Sequence, residues 1–178
     1  MHVDDLKLWN TGTALLKSLY EDLSADAVPV LTQLLTRYRE TKEVITAIVA
    51  EVDASSVCRE CGGLCCLNGK YRINVFDTLA CLATQTPISV DFTQKPICPY
   101  GTDTGCTLVP GLRPADCIQF VCDAIDGRLS LQTRSLLVEH ENVLRECIAK
   151  ISGLTGQQMG TPLLLWAEEC CNSDSNNK

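Results

Sequence analysis

Histidine, aromatic residues and positive charge are all scarce in this chain, and each shortage removes a class of function. Two histidines among 178 residues leave little material for a His-rich hydrolytic zinc site. Phe, Trp and Tyr together make up 5% of the chain, too few for a base-stacking platform. With 15 Lys and Arg against 22 Asp and Glu the formal charge is -7, the wrong sign for a face that must neutralise phosphates. Such a surface suits a soluble protein partner and not nucleic acid. No apolar run approaches the roughly 18 residues of a membrane span; the longest candidate lies around Leu163 to Ala167. The opening residues MHVDDLKLWN carry acids early and hold no unbroken apolar stretch, so they do not read as a secretory signal. A cytoplasmic location is expected on these grounds. A Walker loop, a G-x-G-x-x-G after a strand, a Ser-His-Asp pattern and the Cys-x3-Cys-x2-Cys spacing of radical chemistry are all missing, so no catalytic residue is assigned.

Cysteine is what the chain has in excess, with 12 residues. None falls before Cys58, and eight sit in two groups, Cys58 to Cys66 and Cys98 to Cys122. In a reducing compartment a dense set of thiols more often binds metal than forms disulfides. The hydrophobic fraction of 46% is that of a folded chain and excludes general disorder.

Helical periodicity flanks the cysteines on both sides. The spacing predicts a helix over Asp4 to Leu23, with Thr11-Gly12-Thr13 as a candidate break. A second, Ala27 to Ala54, is capped by Ser24 or Asp26, with Pro29 in its first turn and Ser55-Ser56 at its end. After Cys122 the stripe Leu136, Leu137, His140, Val143, Leu144, Cys147, Ile148 and Ile151 predicts a long helix stopped by Gly153. Thr161-Pro162 opens a last short helix toward Cys170-Cys171, followed by a polar tail. Between Cys58 and Cys122 the period is lost, and five of the seven prolines fall there. A short strand over Tyr71 to Val75 and a short helix over Phe76 to Ala83, started by Asp77, are expected inside it. The expected fold is mainly α: a helical bundle with an irregular cysteine-rich metal-binding segment docked on it. The divisions are 1–57 for the N-terminal helices, 58–122 for the cysteine-rich segment and 123–178 for the C-terminal helices and tail, all within one compact domain.

The first group reads Cys58-x2-Cys61-x3-Cys65-Cys66, and the second places Cys98, Cys106, Cys117 and Cys122 among turn residues. A Cys-x-x-Cys loop turns two thiolates toward one ion and leaves backbone N–H groups free for the sulfurs. Cys65 and Cys66 are adjacent and diverge, which suits two metals or two irons of one cluster. Eight thiolates make two zinc sites, a cluster with a zinc, or a cluster with spares. Soft ligation excludes calcium and magnesium and favours an iron–sulfur cluster, zinc or Cu(I). Structural disulfides and buried free thiols are the competing explanations; the spacing favours metal. Cys81 and Cys147 read as small buried hydrophobes on helix faces, and Cys170-Cys171 as surface or core residues. His140 reads as a core or half-buried residue of its helix and not as a ligand. Arg113, four residues before Cys117, either offsets the charge of a thiolate site or serves its loop through Asp116 or a helix cap.

Cys58-x2-Cys61-x3-Cys65-Cys66, with Cys98-Pro99, Gly105-Cys106-Thr107-Leu108, Arg113-Pro114-x-x-Cys117 and Cys117-x4-Cys122, resembles the YkgJ-type CxxCxxCC cysteine-cluster family. The resemblance spans Cys58 to Cys122. It implies a zinc- or iron-chelating domain of otherwise unassigned role. Flagellin lysine methylase is said to carry a related iron–sulfur region, which favours iron. The family spacing has two residues between its second and third cysteines; here Gly62-Gly63-Leu64 makes three. A redox enzyme or an accessory that modifies a protein or peptide is the main alternative. Cu(I) storage or transfer ranks behind it, since the cysteines fall in expected loops and not along helices.

Overall fold

Apolar residues at three- and four-residue intervals build two long helix pairs, and a short helix from the cysteine-rich stretch fills the space between them. The computed structural model describes residues 4–60, 64–94, 98–102, 105–119 and 121–175. Cys61, Gly62, Gly63 and the side chain of Cys65 lie outside what is described.

Helix α1 (Asp5–Glu21) starts at Asp4, whose carboxylate accepts the Leu6 N–H at 3.0 Å. It runs unbroken through Thr11-Gly12-Thr13, where a break was expected. Gly12 is buried against α8 (Leu163–Ser175), and a Cβ there would stand 3.1 Å from both Ala167 Cβ and Leu163 Cγ. The glycine serves close helix approach, and the packing offsets its propensity cost of about 1 kcal/mol.

Helix α2 (Ala27–Ala50) has Asp26 at its N-cap and stops short of the expected Ala54. Asp53 takes a φ of +55°, a left-handed step that turns the chain before α3 (Ala54–Glu60). Ser55 and Ser56 therefore belong to a new helix instead of ending the old one, and Cys58 rides on it.

Next comes a 3-10 helix, Leu64–Tyr71, and then α4 (Val75–Ala83). The strand expected over Tyr71 to Val75 reduces to one antiparallel bridge, Asn74 with Pro162. Around it Val75 N–H donates to the Thr161 carbonyl and Leu163 N–H to that of Ile73, each at 3.0 Å. Asn74, not Asp77, caps α4. Its side chain accepts the Asp77 N–H at 2.7 Å while Asp77 accepts the Asn74 N–H at 3.3 Å, a reciprocal capping box.

A two-residue ladder pairs β1 (Gly101–Thr102) with β2 (Gly105–Cys106), Gly101 opposite Cys106. Two short helices follow, α5 (Ala115–Gln119) and α6 (Asp123–Asp126). Helix α7 (Leu131–Thr155) opens on Ser130, whose hydroxyl accepts the Thr133 N–H at 3.1 Å. It passes through Gly153, the expected stop, and ends at Gly156 with φ +68°. Of the two glycines, Gly156 takes the left-handed conformation that closes a helix C-terminus.

The protein is mainly helical, with α2 packed along α7 and α1 along α8. Helix α4 contacts α1 and α8, and its Val75, Phe76, Leu79, Ala80 and Cys81 are all buried in the core. Leu137, Leu144, Cys147 and Ile151 of the α7 stripe are buried as expected, His140 is half-buried, and Leu136 is exposed. Among the described residues, no helix is long and apolar enough to cross a membrane.

Candidate metal centre

A buried ion pair joins the apolar burial of Leu112, Ala115 and Ile118 in fixing the segment that carries Cys117. Lys42 of α2 and Asp77 of α4 have side chains with 0% exposure, and Lys42 Nζ lies 3.0 Å from Asp77 Oδ1. The Tyr38 hydroxyl donates to the same oxygen at 2.9 Å. Asp77 Oδ2 accepts two backbone N–H groups, Asn74 and Ala115, at 3.3 Å each. Lys42 makes a second bond, to the Arg113 carbonyl at 2.8 Å, and stands over the Tyr38 ring. Burying two charges is tolerable only when each is paired and its remaining bonding capacity is met. Here both conditions hold. Burial and the Asp77 charge push the Tyr38 phenol well above its ordinary range, so it stays a donor. The network pins Arg113 and Ala115 to two helices, immediately before Cys117.

Cys98, Cys106 and Cys117 lie within electrostatic reach of one another. The turn after Cys98 closes with Gly101 N–H on the Cys98 carbonyl at 2.9 Å, and the Tyr100 N–H donates to the Cys98 sulfur. Thr107 holds the other side: its N–H and its hydroxyl both donate to the Tyr100 carbonyl at 2.9 Å. With Gly101 opposite Cys106 in the ladder, the two cysteines share one hairpin. The charges of Cys98 and Cys106 both act on Cys117, and that of Cys106 acts on Cys98. The 3-10 helix with Cys66 adjoins this group through Gly69, where a Cβ would fall 2.5 Å from the Cys98 sulfur. Only glycine fits there.

Burial pushes the Cys98 thiol up, and burial together with Cys98 raises that of Cys117 further, though Cys117 keeps contact with solvent. Two forces oppose this. The Tyr100 N–H favours a thiolate at Cys98, and the Arg72 guanidinium favours thiolates at both Cys98 and Cys117. Arg72 also acts on Asp116. The cation that reaches the thiols is thus Arg72. Arg113 takes the loop role instead, its Nε donating to the Leu108 carbonyl at 3.0 Å. Spacing gives no signal for Arg72, since its approach depends on the 3-10 helix folding against the Cys98 turn.

The remaining cysteines divide by element. Cys58 on α3 and Cys122 at the N-cap of α6 lie on neighbouring helices, Cys58 exposed and Cys122 half-buried. Cys66 is exposed in its 3-10 helix, and α8, bearing Cys170 and Cys171, also touches that helix. Cys58 and Cys117 sit in short helices where loops were expected. Cys81 and Cys147 are buried at 1% and 0% exposure; burial, with the nearby Asp77 carboxylate, carries the Cys81 thiol up to about 12. Both behave as core residues. Lys42 is the residue that sequence reading missed most plainly. It lies four residues after Tyr38 and three before Ile45, on the apolar stripe of α2, and a lysine there demands a buried acid.

An open groove of about 550 Å³ lies elsewhere, along α1 between Leu6, Asn10 and Leu15, and none of its lining is cysteine. Among the described residues, no three His, Cys, Asp or Glu side chains stand in coordinating positions around one point. The donor chemistry nonetheless fits a soft metal: clustered sulfurs, a backbone N–H on one of them, and a guanidinium close by. No protein-family model, no curated protein and no solved structure matches the chain.

Proposed function

We propose that this chain is a metal–thiolate protein. It holds an iron–sulfur cluster or zinc through Cys58, Cys61, Cys65, Cys66, Cys98, Cys106, Cys117 and Cys122. The observation that carries the reading is that Cys98, Cys106, Cys117 and Arg72 lie within electrostatic reach of one another, with the Tyr100 N–H on the Cys98 sulfur. Free thiols gain nothing from such a setting, whereas bound thiolates need both the donor and the cation. On this reading residues 58–122 form a metal-binding segment docked on the helical bundle, as the resemblance to the YkgJ-type family implies. Metal binding displaces protons from thiols that burial otherwise keeps protonated, so uptake releases acid. The protein is a cytoplasmic module acting with a soluble protein partner.

Exposure makes the test sharp. Cys58, Cys66, Cys106 and Cys117 are exposed, and so is Cys171 outside the ligand set. Alkylation of the anaerobically isolated native protein is expected to label Cys171 promptly and spare the other four until acid or a chelator is added. Prompt labelling of all five, with no metal released, contradicts ligation.

A further inference from the structure

Lys42 and Asp77 grip the chain on either side of Pro114. Lys42 Nζ donates to the Arg113 carbonyl at 2.8 Å, and Asp77 Oδ2 accepts the Ala115 N–H at 3.3 Å. In an extended strand the carbonyl of one residue and the N–H two residues later face the same neighbour. Arg113 is extended, with φ -59° and ψ 146°, the backbone that a following proline favours. The ion pair thus bonds this step much as a neighbouring strand would, one side chain donating and the other accepting. From there bonds run on to both cysteine-bearing loops. The Arg113 N–H donates to the Val109 carbonyl and its Nε to that of Leu108, each at 3.0 Å. Next along the chain, the Thr107 N–H and hydroxyl both hold the Tyr100 carbonyl at 2.9 Å. The Gly101 N–H closes on the Cys98 carbonyl at 2.9 Å, and the Cys117 N–H on that of Pro114 at 3.0 Å.

We propose that Lys42 and Asp77 are positioning residues: together they set where the loops carrying Cys98, Cys106 and Cys117 sit on the bundle, a role separate from stabilising the helices. The inference does not depend on a bound metal. A buried ion pair is poor evidence for stability, since apolar residues of similar volume often replace one without loss. What they cannot replace is direction. Burial of Leu112, Ala115 and Ile118 is non-directional and tolerates a shift of the segment. A hydrogen bond holds its donor and acceptor to a set distance and angle. The Lys42 ammonium faces three partners, Asp77, the Arg113 carbonyl and the Tyr38 ring. Asp77 is engaged by Tyr38, Lys42 and the Asn74 and Ala115 N–H groups. A slip of one residue would break these bonds in a dry site, where water cannot take them over.

The test compares amide hydrogen exchange in the full-length wild type and in the Lys42→Met, Asp77→Leu variant, which fills the site with apolar groups and leaves no charge unpaired. Both are treated with a chelator first, so that metal holds the loops in neither. The N–H groups of Thr107, Leu112, Arg113 and Cys117 are expected to exchange roughly tenfold faster or more in the variant, while those in the middle of α2 and α7 change by less than about threefold. Equal rates in the loops overturn the inference, as do loops that already exchange freely in wild type. A rise shared evenly by loops and helices also overturns it, because that marks a general loss of stability. Should the apolar variant fail to fold, Lys42→Met, Asp77→Asn takes its place. It keeps a hydrogen-bonding side chain at residue 77 for the start of α4 and removes the bond to Arg113. The same selective rise is expected of it, and its absence overturns the proposal.

Discussion

Asp77→Ala is expected to destabilise the protein by about 3–5 kcal/mol, the usual cost of leaving one buried charge without its partner. The substitution strands the Lys42 ammonium, whose side chain has 0% exposure, and removes the acceptor of the Tyr38 hydroxyl and of the Asn74 and Ala115 N–H groups. It also deletes half of the capping box that starts α4. The double variant Lys42→Met, Asp77→Leu is expected to lose less than Asp77→Ala alone, because no uncompensated charge is left behind. Denaturant unfolding of the wild type and the two variants measures both quantities. A single variant within about 1 kcal/mol of wild type, the ordinary range for an exposed ion pair, shows that the pair does not hold the fold. A double variant worse than the single one shows that the pair contributes more than mutual neutralisation.

Cys117→Ser is expected to lose metal and to lower the melting temperature of the anaerobic protein, whereas Cys147→Ala keeps its metal. Metal binding acts as folding free energy where the ligands come from irregular chain; in small zinc domains the apparent contribution is roughly 10–16 kcal/mol. The stretch around Cys117 is short, and besides Leu112, Ala115 and Ile118 in the core it relies on polar anchors. Its helix α5 is five residues long, and its anchors are the bonds of Lys42 and Asp77 to Arg113 and Ala115. Cys147 has 0% exposure, so its truncation opens a small cavity and lowers stability through packing alone. The two variants separate stability from ligation. Metal analysis beside thermal unfolding reads both, and a Cys117→Ser protein with full metal content removes Cys117 from the ligand set.

Periodicity revealed the long helices because their apolar stripes are intact, and it misjudged their ends because ends are set by single residues in tertiary context. Gly153 and Gly156 both look like stops in the sequence, yet only Gly156 adopts φ +68°. Gly12 looked like a break until α8 supplied the surface that needs its missing Cβ. The middle stretch showed its cysteine spacing in the sequence and was opaque as structure. Helix α4 is short, and its capping box depends on Asn74 and Asp77 bonding each other. The pairing that places Cys106 opposite Gly101 is a ladder of two-residue strands, below the length at which alternation can be seen. Arg72 escaped notice for the same reason: its approach to the cysteines arises from which loops touch, and nothing in its immediate neighbours announces it.

The most direct measurement is metal and sulfide analysis of the full chain purified without oxygen, taken with its visible spectrum. The account predicts tightly bound metal in one of two forms. One is iron with acid-labile sulfide and broad visible absorption from sulfur-to-iron charge transfer. The other is zinc in a colourless protein whose motif thiols become titratable only after denaturation or chelation. Protein that folds cooperatively with neither iron nor zinc, and whose exposed Cys58, Cys66, Cys106 and Cys117 titrate as free thiols in the native state, would contradict it.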